Sequence, residues 1–378
     1  MVPGCRLPVA GGNGRWQAAT GTGNLSAVKI LHLAAGNRWT GAAAPAFAEV
    51  CALREAGVDA HYAYVGGYKL QAKIGRFDFA HPVIAKAQNP LSFASSMGAI
   101  ERLLDHHGFD VVHAHLTYDH WLARFASRAW NIRIARTFHS ARVLRSDPFT
   151  RLLLGRTDLV FAVNAALLDA PQIRNRGPIF TPPPLDGRQF RPDGPDVRGK
   201  YGVPKEGMLI AAIGKLSAGR GFENVLRSFA AIRKRMTNSR LMIIGHGEFR
   251  RKLEAMTREL QIDAAVIWAG YHEEDLADHY RAADFLLFTA KGSDEGHRAV
   301  VEAMACGAVP IVAPLPGVSA IVDESLIARD STPDSIADCL LARVDSLDLF
   351  RRAVVKRSAQ FTYARAAERL LSAYSSIL

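Results

Sequence analysis

The chain has 378 residues, 49% of them apolar and 22% charged. That composition excludes wholesale disorder, a collagen repeat and a coiled coil, and the length fits two domains. Lys and Arg number 47 against 36 Asp and Glu, and the surplus is uneven: residues 1–190 hold 21 basic and 12 acidic side chains, residues 191–378 hold 26 and 24.

The first 26 residues are Gly-rich and lack the apolar core of a secretory signal. They read as a disordered tail, or as sequence upstream of the true start. No run of about 18 apolar residues offers a membrane span. Cys5, Cys51, Cys306 and Cys339 are too scattered for a zinc ribbon or a disulfide scaffold, which leaves reduced thiols. Regularity begins at Val28. Residues 28–33 read as a buried strand, a glycine-bounded loop follows, residues 44–56 have helical spacing, and residues 58–65 form a second strand. Residues 110–115, 132–138 and 158–163 are further short apolar runs, the first two of them following helix-like segments. Strands alternating with helices predict right-handed βαβ units and a parallel sheet.

Residues 182–195 are rich in Pro and Gly and mark a linker. Strands at 208–213, 240–244, 265–268, 285–288 and 309–312 then alternate with helices at 222–236, 248–260, 275–281 and 300–306. The fold class expected is α/β, with two Rossmann-like doubly wound domains facing a cleft. Ligands in such sheets sit beyond the carboxyl ends of the strands. The boundaries expected are a tail at 1–26, a first domain at 27–190 completed by a C-terminal helix at 359–378, and a second domain at 191–358.

Gly36 to Gly41 has the glycine spacing of a phosphate loop without its Lys and Ser/Thr, and Arg250 stands where the third glycine of a dinucleotide fingerprint belongs after Gly245 and Gly247. Hydride transfer on a nicotinamide is therefore poorly supported. The run from Gly214 to Phe222 places Lys215 at a strand end and Arg220 just before a helix, which suits a diphosphate; a solvated loop with two ordinary cations is the equal alternative. Residues 292–307 carry the strongest signal. A polar loop with Asp294 and Glu295 enters a helix whose first N–H groups, at Gly296, His297 and Arg298, would face an anion. Glu302, one turn further, has two oxygens able to accept a diol.

The spacing from Asp294 to Glu302, with Ala-Met-Ala-Cys-Gly after it, resembles the acidic-x7-Glu motif of retaining family 4 glycosyltransferases (glycosyl transferases group 1), which have the GT-B fold. Gly214-Lys-Leu216 with Arg220-Gly-Phe222, Gly245-His-Gly247, Ala269-Gly-Tyr271, Ala282-Ala-Asp284, Val111-Val-His-Ala-His115, Thr137-Phe-His139 and the helix at 363–374 fall in the family's order. The resemblance covers residues 28–378. It implies Lys215, Arg220 and Gly214 at the donor diphosphate, Glu302 at the ribose and Asp294 with its loop at the sugar. It implies Tyr271 beside the nucleobase, His139 near the reacting carbon, and Gly41 letting backbone approach it. Asp294 replaces the usual Glu, so Glu295 is the alternative working acid. Lys215 and Arg220 exchange the family's Arg and Lys, which keeps charge and changes hydrogen-bond geometry.

The implied activity is a retaining transfer of a sugar from a nucleotide-sugar donor to an acceptor hydroxyl, with surface glycans such as lipopolysaccharide or exopolysaccharide as the expected context. A glycan phosphorylase of the same fold and a non-catalytic sugar-nucleotide-binding protein are the alternatives. No cofactor or metal is expected, since in that fold cationic side chains and a helix dipole replace a divalent ion. His113 and His115 are read as alternating faces of a strand end, which would keep both from one ion. The arginines at 133, 136, 142, 145, 151 and 156 surround His139, and Lys69, Lys73 and Arg76 form a second basic group. Solvated loops are one reading of them; a face for anionic lipid or an acidic glycan or lipid-linked acceptor is the other. Nucleic acid is not expected, for want of a binding motif. The localisation expected is cytoplasmic, at or near the inner face of the cytoplasmic membrane.

Overall fold

The computed structural model describes residues 28–36, 39, 41–87, 89–289 and 296–378, with backbone alone for Lys69. It divides into two compact units. One runs to Asp186 and takes back Phe361–Leu378; the other is Gly187–Gln360. The expectation of a disordered tail at 1–26 falls outside the described residues.

The first unit carries β1 (Lys29–Ala34), α1 (Ala43–Glu55), β2 (Asp59–Val65), α2 (Lys69–Ile74), β3 (Ala80–Ile84), α3 (Pro90–His107), β4 (Val111–Ala114), α4 (Thr117–Ala126), β5 (Arg133–Phe138), α5 (Pro148–Leu154), β6 (Leu159–Ala162) and β7 (Ile179–Phe180). Its strands lie in the order β3-β2-β1-β4-β5-β6-β7, all parallel. Helices on both faces explain the unbroken apolar runs: Ile30 and Leu31 point to opposite faces, and each is fully buried. Local signals set the long helix α3. Asn89 caps it by accepting the Ser92 N–H at 2.9 Å, Pro90 occupies its first turn, and Gly108 ends it in the left-handed region.

The second unit carries β8 (Leu209–Ile213), α6 (Phe222–Arg235), β9 (Arg240–Ile244), α7 (Arg250–Glu259), β10 (Val266–Gly270), α8 (Leu276–Ala282), β11 (Phe285–Phe288), α9 (Arg298–Ala305), β12 (Val309–Val312), α10 (Pro333–Leu341) and α11 (Leu347–Ser358). Its parallel strands run β10-β9-β8-β11-β12. In each sheet the strand order reverses once, between β1 and β4 and between β8 and β11. The crevice beyond those strand ends is where doubly wound sheets bind ligands.

The last helix, α12 (Tyr363–Ser375), belongs to the first unit. Its Leu370, Ala373 and Tyr374 join the core formed by Ile30, Phe47 and Tyr62, while Ala366 and Ala367 sit on Ala52 of α1. Small residues on both helices permit that close approach. Burying Leu370 alone contributes about 1.5–3 kcal/mol. Leu185 fixes the entry of this segment, donating its N–H to Phe361 O at 2.7 Å and accepting from Tyr363 N at 3.2 Å.

Candidate active site

At the β8/β11 reversal of the second unit lies a pocket of about 200 Å³, lined by Gly214, Lys215 and Arg220 from the loop after β8, Tyr280 from α8, and Arg298 and Glu302 from α9. Arg298 and Glu302 are one turn apart on α9, which puts them on one face, with Nε 3.5 Å from Oε1. The other Glu302 oxygen accepts from the Tyr280 hydroxyl at 3.3 Å. Burial, then the Glu302 carboxylate, hold that hydroxyl protonated well above its usual range, so it remains a donor. Three cations and one oriented carboxylate complement a diphosphate and a pair of hydroxyls.

Two crossing loops build the floor of this pocket. Gly214 N–H donates to Ile244 O at 3.0 Å, Leu216 N–H to His246 O at 3.0 Å, and Phe249 N–H to Leu216 O at 3.0 Å. A Cβ at Gly245 would stand 1.9 Å from Gly214 O, and one at Gly247 2.0 Å from Leu216 O. Only glycine permits this contact. The Gly245-His-Gly247 run thus works as packing that holds Lys215 in place, and its positions are not a dinucleotide fingerprint.

The first unit gathers imidazoles at its own reversal. His139 follows β5, and its Nε2 lies 3.0 Å from His115 Nδ1; His115 Nε2 lies 2.9 Å from His32 Nδ1. Glu49 Oε2, buried on α1 with no hydrogen-bond partner of its own, is 3.7 Å from both of the latter rings. His113 is fixed between Tyr374 Oη at 2.6 Å and Thr137 Oγ1 at 2.7 Å. Burial pushes His32 down to about 3, and burial followed by the Arg136 guanidinium does the same to His139. Neutral rings in a chain share one proton per link, so a change of tautomer at His139 must pass through His115 to His32. Gly41 precedes α1 with φ +62°.

This arrangement corrects two expectations. His113 and His115 are two residues apart on a strand, and side chains at that spacing share a face. Their rings are stacked 4.5 Å apart, and one ligating atom each from His32, Glu49, His113 and His115 falls within 4.8 Å of the others. The second concerns the basic group around His139. Arg136 is 1% exposed and faces inward, where burial brings it down to about 10 against the opposing pull of Asp119, so it takes no part in a surface.

Comparison with known proteins gives this geometry a family. The family model Glycosyltransferase Family 4 matches residues 40–170, and Glycosyl transferases group 1 matches residues 207–346. The two matches together span more than half of the chain. The chain belongs to the group 1 glycosyltransferases. The D-inositol 3-phosphate glycosyltransferase of Acidothermus cellulolyticus is 23% identical over 322 residues, 76% of this chain and 71% of that protein. A GDP-mannose-dependent alpha-(1-6)-phosphatidylinositol monomannoside mannosyltransferase of Mycolicibacterium smegmatis is 29% identical over 143 residues, 35% of this chain and 37% of that one. Among solved structures, a glycosyltransferase from Rickettsia africae ESF-5 has TM-score 0.79 at 15% identity, covering 93% of this chain and 98% of its own. HepE of Anabaena in complex with UDP has TM-score 0.78 at 16% identity, covering 92% and 100%. The fold is GT-B.

Within this glycosyltransferase, Gly214, Lys215, Arg220, Arg298 and Glu302 meet in one pocket, and Gly296 and His297 lead into α9. His297 caps that helix in the left-handed region at φ +57° and is buried. Tyr271 stands at the edge of the crossing loops, 61% exposed, its ring edge-on to His246 at 5.1 Å. Asp294 and Glu295 lie outside the described residues. Sequence reading missed Tyr280, whose only signal is its helical phase toward Glu302, and Glu49 and His32, which pass for ordinary helix and strand residues until α12 and β4 close over them.

Proposed function

We propose that this glycosyltransferase retains anomeric configuration while moving a sugar from a nucleoside-diphosphate donor to an acceptor hydroxyl. One observation carries the reading: Lys215, Arg220, Arg298 and Glu302 converge at the β8/β11 reversal. In the reaction proposed, the bond between the sugar C1 and the diphosphate oxygen breaks, C1 bonds to the acceptor oxygen on the same face, and the acceptor proton ends on the departing diphosphate. Lys215 and Arg220 stabilise charge as it grows on that leaving group, where a preorganised cation is most effective. Glu302 accepts the ribose hydroxyls, held by Tyr280 and Arg298. The segment with Asp294 or Glu295 is assigned to the sugar by its motif, and His139 to the sugar near C1 on the same ground. Chain cations serve here in place of a divalent ion.

A thermal-shift screen of UDP-, GDP- and ADP-sugars tests the donor. One of the three should raise the melting temperature by several degrees at millimolar ligand, and the raised donor should support transfer with nucleotide release. No shift with any of them, or binding without release when acceptors are supplied, would end the reading.

For the acceptor we propose an anionic glycan or lipid-linked sugar presented at the inner face of the cytoplasmic membrane. What supports this is an exposed strip on and before α5. Arg142, Arg145 and Arg151 are exposed there beside Phe149 at 68% and Leu152 at 47% exposure, a mix of cations and apolar side chains that suits a bilayer surface. Among the described residues no helix is long and apolar enough to cross a membrane. Neutralising the three arginines should weaken attachment to phosphatidylserine-containing vesicles, at about 1 kcal/mol or fivefold per charge. Attachment unchanged by the triple variant removes the membrane from the proposal.

A further inference from the structure

Three histidines gather at the other end of the first sheet. His61 is the third residue of β2, His81 the second of β3, and His107 the last of α3. These are the amino ends of the strands, whereas Gly41 and His139 follow carboxyl ends. One ligating nitrogen from each of the three lies within 4.8 Å of the other two. His61 Nδ1 is 2.8 Å from His81 Nε2, and the His107 ring centroid is 4.5 Å from that of His61 and 5.7 Å from that of His81. A zinc ion with bonds of 2.0–2.1 Å holds its tetrahedral ligands about 3.3 Å apart, which lies between the 2.8 Å of the His61–His81 pair and the 4.8 Å within which all three nitrogens fall. We propose that His61, His81 and His107 form a binding site for a divalent transition metal, zinc in the first instance, separate from the glycosyl-transfer machinery.

The orienting partner of the first ligand is already in place. Asp59 Oδ1 lies 2.9 Å from His61 Nε2. A carboxylate there fixes the proton on Nε2 and leaves the Nδ1 lone pair facing His81 and His107, the arrangement found behind most metal-bound imidazoles. Without an ion, the same tautomer obliges His81 Nε2 to donate to His61 Nδ1; a metal replaces that single hydrogen bond by three coordinate bonds. Burial lowers all three imidazoles, His81 to about 4 with His61 and His107 adding to the effect. The ligands are thus neutral at physiological pH and lose no proton on binding. Of the charges nearby, Asp59 and Asp78 favour a cation at His61, and Arg54 opposes it.

Chemistry and access both point to zinc-like ions. Imidazole suits zinc, copper, iron and nickel, while calcium and magnesium require oxygen ligands. His61 is 7% exposed, and His81 and His107 are half-buried, which leaves an outer coordination position to water. The cluster at His272, Asp275 and His279 makes the contrast clear. Both His272 nitrogens are engaged by Asp275 and the Ala269 carbonyl, and both His279 nitrogens by the Asp275 carbonyl and Tyr201. Because β2, β3 and α3 each supply one ligand, a bound ion would tie three elements together and raise stability by mass action.

The test uses the full chain, freed of any histidine tag and of metal, titrated with zinc against a chromophoric chelator. The wild type should take up one zinc tightly, and cobalt should give a tetrahedral absorption spectrum. His81→Ala and His107→Ala, both at half-buried positions, should weaken zinc binding by more than about 100-fold, since loss of an outer-sphere partner alone is worth 10–100-fold. Asp59→Asn should fall within that smaller range. Circular dichroism of each variant confirms folding. A wild type that stays metal-free at micromolar zinc, or folded His81→Ala and His107→Ala variants that bind as the wild type does, overturns the proposal.

Discussion

Exchanging Lys215 and Arg220 together for alanine lowers kcat of sugar transfer by more than about 10³-fold, since one preorganised donor at a developing oxyanion is worth 10²–10³. Glu302→Ala behaves differently. On the proposed assignment its carboxylate binds hydroxyls that carry the same charge in ground and transition states, so the loss should fall on donor KM, by about 10- to 100-fold for charged hydrogen bonds of 1.5–3 kcal/mol. The split is the informative part. The Lys215 side chain is 59% exposed and, among the described residues, ion-pairs with Glu248 at 3.9 Å, a surface contact whose loss leaves the fold intact. Glu302 is nearly buried between Tyr280 and Arg298, and Glu302→Gln, which keeps the side-chain volume but offers these two donors a single acceptor oxygen, separates lost charge from lost packing. Steady-state kinetics with the donor found by thermal shift measures both. A double variant with unchanged kcat, or a Glu302→Ala whose KM is that of wild type, would sink the assignment.

How much of this was legible beforehand follows from what each feature depends on. Strands buried on both faces announce themselves as apolar runs, so β9, β11 and β12 match the residues read from sequence. β3 did not. Its burial is broken, with His81 and Val83 half-buried and Pro82 exposed, so it lacks the unbroken apolar run; a proline alone does not hide a strand, since β12 carries Pro310 and is buried throughout. The two-residue β7 is too short for any periodicity. The donor-side residues were legible because Lys215, Arg220 and Glu302 occupy short local motifs. The network around His139 was not, because it joins residues up to 342 apart in sequence: Tyr374 Oη stands 3.5 Å from His32 Nε2. One local rule was also misapplied, since spacing by two along β4 directs His113 and His115 the same way.

That network makes the first unit lose stability from about pH 6.5 downward, before ordinary carboxylates begin to titrate. Burial lowers His32, His113, His115, His120 and His139 from an ordinary 6.5. Each therefore binds a proton in the unfolded chain before it does so in the fold, and its contribution, complete above pH 6.5, is lost as pH falls below that value, down to about 3 for His32 and His139. Burial works the other way on Glu49, raised to about 8, and on Asp119, raised to about 7. Both favour the fold increasingly as pH falls toward their unfolded values near 4.5 and 3.8. His61, His81 and His107 are lowered in the same direction, so the imidazoles that take up protons on unfolding outnumber the two carboxyls that release them, and stability falls as pH falls below 6.5. Each such imidazole costs about 1.4 kcal/mol per pH unit against a total stability of about 5–15 kcal/mol, so the far-UV circular dichroism of the chain should fall in the window between about pH 6.5 and about pH 4. Glu49→Gln isolates one member. It removes a carboxyl whose ionisation the core resists, so it should raise stability by about 4 kcal/mol at pH 8 and by almost nothing near pH 4.5. A fold that persists to pH 3.5, or a Glu49→Gln chain that melts with the wild type at pH 8, means the imidazole chain is solvated or charged and cannot act as a neutral, tautomer-coupled support for His139.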